Sequence, residues 1–171
     1  MNARLMAFPE PTDAIELALV DLALLGRGGQ SAATILATGE LLPRIWDVTT
    51  IHDPALLEET WDWLTSFVEW LNCQHAWFSG DLTPPCWRLH PSLVHQLATL
   101  AASRYLAGES TEPSQMEDWH RYGLPAYLER TRAQRHGCEE NHQPWPARAA
   151  SLRSFNPCSE PSLLGKKSSR H

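Results

Sequence analysis

The stretch "DPALLEETWDWLTSFVEWLNC", Asp53 to Cys73, restricts the fold more than any other part of this chain. An aspartate before a proline is a helix start, because its carboxylate accepts bonds from unpaired backbone N–H groups while proline's fixed φ suits the first helical position. At about 100° per residue, Leu57, Trp61, Leu64, Val68 and Leu71 form one apolar stripe. Leu56, Trp63, Phe67 and Trp70 form a second beside it, which Cys73 continues as a buried thiol. Glu58, Glu59, Asp62 and Glu69 fill the opposite face. One neighbour cannot cover an apolar arc half the helix wide. The helix is therefore predicted to be the spine of a bundle, with Trp61 and Leu64 at the centre of the core.

Other helices follow from the same signals. Thr12 is a natural N-cap for a helix carrying Ile15, Leu19, Leu22, Ala23 and Leu25 and ending at Gly26. "GRGGQS" has the glycine content of a phosphate-binding loop, yet it follows a helix and lacks the Gly-Lys-Ser/Thr ending, so it reads as a helix stop and turn. A short helix over Ala32–Leu42 precedes an irregular segment, in which Val48–Ile51 is the one β-prone run. His90 before Pro91 opens a helix that buries Leu93, Val94, Leu97, Leu100, Ala101 and Tyr105 and closes at Gly108. Pro113 begins a last segment with Met116, Trp119, His120 and Tyr127 on one side, which "GLP", Gly123 to Pro125, should kink or split. The expected fold is mostly α: a compact bundle of four to five helices over residues 12–136, between a flexible N-terminus (1–11) and a disordered C-terminal tail (137–171).

Charge divides the chain in the same way. Met1 to Glu129 holds 6 arginines against 17 acids, a net of −11, whereas Arg130 to His171 holds 8 basic residues against 3 acids, a net of +5. An acidic body argues against a broad phosphate-binding face, because nucleic-acid affinity rests on clustered positive charge; only the tail could supply a weak contact of that kind. The most apolar stretch, "AIELALVDLALLG", carries Glu16 and Asp21 and is too short to span a bilayer, and the first residues lack a secretory pattern. A cytoplasmic protein with no membrane contact is expected. Its four cysteines are then free thiols in a reducing compartment.

The most site-like residues are in "PPCWRLHPSLVHQL", Pro84 to Leu97. Thiolate and imidazole are the usual zinc donors, so Cys86, His90 and His95, with Cys73 or His75 as a fourth, are the candidate metal ligands. Their spacing opposes that reading, since helical positions five apart lie about 140° apart while paired ligands need an i, i+4 separation. No metal and no cofactor is expected. Trp87, Trp119 and His120 form the other candidate site, with His120 as a base beside Asp118 and Cys86 as a nucleophile, if they converge. No nucleophile elbow, zinc-protease helix, paired-cysteine ribbon or dinucleotide fingerprint occurs.

Taken together, "ETWDWLTSFVEWLN", "PPCWRLHPSLVHQL" and "DWHRYGLPAYL" resemble a group of uncharacterised actinobacterial proteins often carried on plasmids and other mobile elements. The resemblance covers about Trp46 to Leu128. It implies a lineage and a setting, with no activity, fold or ligand to transfer. Two lysines against twelve arginines agree with a GC-rich genome. The expected function is a non-catalytic accessory or protein-interaction role, possibly for a mobile genetic element, with an unidentified protein partner. The alternatives are a nucleic-acid-associated accessory protein acting through the tail, and a zinc-binding protein or Cys-His enzyme.

Overall fold

The computed structural model describes residues 5–37, 39 and 41–136; the basic segment 137–171, with Cys138 and Cys158, lies outside the described residues. The elements are α1 (Asp13–Arg27), α2 (Gly29–Ala37), α3 (Pro54–Gln74), α4 (Pro91–Gly108), α5 (Pro113–Asp118) and α6 (Leu124–His136). A π-helical turn, Trp119–Gly123, joins α5 to α6 without a break, so the described residues form a bundle of five helical rods. No strand occurs among the described residues.

Helix starts lie where local chemistry puts them. Thr12 caps α1 through Ile15 N–H, and Asp53 Oδ1 accepts from Ala55 N–H at 3.0 Å with Pro54 in the first helical position. Gly28 and Gly29 have φ of 72° and 82°, a left-handed pair that turns the chain from α1 into α2, so the glycine-rich stretch is a connection. Pro125 has no N–H to donate and its ring crowds the preceding turn; the backbone widens there, and Leu124 N–H bonds to Trp119 O. The "GLP" sequence therefore produces a bulge in a continuous rod. The β-prone Val48–Ile51 run is corrected too: Val48–Thr50 is a short 3-10 turn capped by Asp47. Without a neighbouring strand, its β-branched side chains cannot form a ladder.

α3 packs on α1 and α4, and α4 also packs on the α5–α6 rod. The core gathers Ile15, Leu19, Ile45, Leu64, Phe67, Leu93, Leu97, Ala101 and Tyr127. Two expectations on α3 need correction. Leu64 is fully buried but Trp61 is half-buried, lying over Trp87 with ring centroids 5.9 Å apart. Cys73 is exposed although Trp70 and Leu71 beside it are buried, so the covering neighbours stop short of its side of the helix.

The stretch before α1 is part of the packing, where the sequence suggests only a flexible lead-in. Phe8 sits edge-on to Trp63, Phe67 and Trp70, and the indole N–H groups of Trp63 and Trp70 donate to Pro9 O and Met6 O at 2.9 and 3.2 Å. Buried indoles need acceptors for their N–H groups, and this strap provides two. No helix among the described residues is long and apolar enough to cross a membrane.

Candidate functional site

The sequence-predicted residues separate into three places. Cys86 and His90 meet, with Sγ 3.4 Å from Nε2, because the turn Trp87–Leu89 brings residues four apart onto one side. His90 is buried and Cys86 half-buried. His95 lies on the exposed face of α4, 3.9 Å from Asp47 Oδ1, and Cys73 is an exposed free thiol near the end of α3. Among the described residues, no three His, Cys, Asp or Glu side chains come close enough to share a metal ion. Trp87 is buried beside Trp61, and the Arg88 guanidinium lies over both rings at 5.5 and 5.6 Å.

Trp119 and His120 lie elsewhere. Trp119 is buried and donates from Nε1 to Leu100 O at 3.1 Å, about 15 Å along α4 from His90. Cys86 and His120 are therefore not partners. His120 is exposed rather than turned inward with Trp119 and Tyr127, and its ring contacts are Trp119 at 5.0 Å and His75 at 5.8 Å. His75 is inserted edge-on between Trp70 and Trp119, at 4.7 and 5.5 Å. Burial, followed by the positive charge of His120 and Arg104, holds the His75 imidazole below its ordinary pKa.

The loop that follows α3 has a different character. Trp77 and Phe78 are 86% and 69% exposed, and Leu82 is exposed beside them. Large aromatics are rarely left in water, and here two are adjacent on a loop that is firmly tied. Phe78 N–H donates to Asp81 Oδ2 at 3.1 Å and Asp81 N–H returns a bond to Phe78 O at 2.8 Å. Arg135, whose side chain is 1% exposed, reaches from α6 to donate to Gly80 O, with Asp81 Oδ1 at 3.9 Å. Its Nε and Nη2 donate to Thr131 Oγ1 and Leu128 O. At the far end Asn72 bonds both Thr83 N–H and Thr83 O, at 2.8 and 3.0 Å, while Thr83 Oγ1 lies 2.9 Å from the Tyr127 hydroxyl.

A cavity of about 330 Å³ opens at the base of this loop, lined by Leu82, Pro84 and Pro85 with Asn72 and Arg135. The cavity is lined from Ser79 onward, directly after the aromatic pair in the chain, and neither Trp77 nor Phe78 is part of its wall. Trp77 and Phe78 belong to no periodic segment of the sequence. The available signal was their adjacency at the end of an aromatic helix that already has its core filled. Compared with protein-family models, curated proteins and solved structures, the chain matches none.

Proposed function

We propose that this chain is a non-catalytic protein-interaction domain, an accessory of a mobile genetic element, that presents Trp77 and Phe78 as anchors to a partner protein. The observation that carries the reading is the clamping of their loop. Binding costs conformational entropy for every side chain and loop it orders, so a preordered loop lowers that cost. Tryptophan is enriched among the residues that dominate interface energetics, and fully desolvating a pair such as Trp77 and Phe78 is the gain on offer. The adjacent cavity suits an apolar side chain contributed in return. An acidic body and a buried, internally bonded Arg135 offer little to a polyanion on this face.

The test is capture of partners from a native host by the full chain and by the W77S/F78S double variant. Both residues are exposed, so the variant should melt as the parent does. A protein retained by the parent and lost by the variant supports the reading. Identical partner sets for the two proteins overturn it.

A Cys-His enzyme has one observation in its favour, the Cys86–His90 contact. It ranks second because His90 is buried beneath the turn. Loss of any hydrolytic or transferase activity in Cys86→Ala, with folding intact, would promote it.

A further inference from the structure

Arg104 lies on α4 with its guanidinium over three rings, Phe8 at 5.0 Å and Trp70 and Trp119 at 5.7 Å each. Ring faces attract the cation but accept none of its five in-plane N–H donors. Its Nε is buried with no hydrogen-bond partner among the described residues. Burial alone lowers its pKa, with no carboxylate near enough to oppose that effect. A half-buried guanidinium without an anion is costly, because its desolvation is not offset by charge pairing.

Two more donors stand at the same place. The His75 and His120 rings contact the Trp119 indole that also lies under Arg104, at 5.5 and 5.0 Å, and they are 5.8 Å from each other. Three side chains that donate hydrogen bonds, from the end of α3, from α4 and from the π turn, thus surround one tryptophan, and no carboxylate is among the groups that shift the His75 or the Arg104 pKa. We propose that Arg104, His75 and His120 form a binding site for a phosphate monoester group. Phosphate is favoured over a single carboxylate because it presents three accepting oxygens to donors arriving from three separate elements. Arg104 supplies the fixed charge, and the exposed His120 marks the solvent side from which the group enters. His75 stands two residues before Trp77, but the site uses neither Trp77 nor Phe78 and does not depend on the role proposed for them.

Calorimetric titration of the full chain with inorganic phosphate, at constant ionic strength with chloride as control, tests this. Saturable binding is expected, abolished in Arg104→Met, which keeps an apolar stem against the rings, and about tenfold weaker in His120→Gln, the loss of one charge-assisted bond. Because His120 is exposed, its variant should fold even if Arg104→Met does not. Parallel titrations with phenyl phosphate and with a phosphoserine tripeptide distinguish a small ester from a phosphorylated partner, and tighter binding of either supports the site. No saturable heat with phosphate, or equal binding by the parent and His120→Gln, overturns it.

Discussion

Thr83 Oγ1 and the Tyr127 hydroxyl lie 2.9 Å apart in the interior, joining the loop after α3 to α6. Burial raises the Tyr127 pKa, so the phenol is neutral and can share its proton. Tyr127→Phe keeps the ring but leaves Thr83 without that partner. A loss of about 1–3 kcal/mol is expected, read from urea denaturation. Unchanged stability would mean that the hydroxyl pair does not hold the loop.

The N-terminal strap invites a second test. Phe8 is half-buried against three aromatic rings and Arg104, and the backbone around it accepts both indole N–H groups. Phe8→Ala removes part of a buried aromatic and should cost about 2–3 kcal/mol. A chain beginning at Glu10 removes Phe8, Pro9 O and Met6 O together and should be less stable still. A melting temperature equal to that of the full chain would show that the strap does not contribute to stability.

Helix entries were legible because each has a short-range cause: Thr12, Asp53–Pro54 and His90–Pro91 act on the next turn of backbone. The buried face of α4 was legible for a similar reason, since periodicity sets which residues share an angle. Periodicity does not say where the covering neighbour ends, and so the exposure of Cys73 and the half-burial of Trp61 were not visible. The long-range features were out of reach altogether. Arg135 meets Gly80 across 55 residues and Tyr127 meets Thr83 across 44, and no local pattern encodes either pairing. The convergence of His75, Arg104 and His120 has the same origin.

The two described thiols should differ in reactivity. Cys73 is exposed at the end of α3, and Cys86 is half-buried beside His90. A neutral maleimide is expected to label Cys73 first in the folded protein, as read by peptide mapping, with both labelled equally in denaturant. Cys73→Ser should change stability by no more than about 0.5 kcal/mol, as surface substitutions do. Protection of Cys73 in the folded chain would return it to the buried stripe.

His75 gives the fold an acid-side dependence whose sign follows from its surroundings. Burial between Trp70 and Trp119, then the charges of His120 and Arg104, depress its pKa from the ordinary 6.5, and no acid is among the groups acting on it. Below 6.5 the unfolded chain takes up a proton that the folded chain resists. The unfolded state then binds more protons, so stability falls as pH drops through that interval and levels off above it. The melting temperature should be flat from about pH 7 to 8 and decline from 6.5 towards the carboxylate range. His75→Gln should flatten the decline, and His120→Gln should move the His75 ring titration, followed by NMR, back towards 6.5. A His75 ring titrating at or above 6.5 in the folded parent would mean that an unrecognised acid faces it, and would remove the reason for treating the cluster as a site short of an anion.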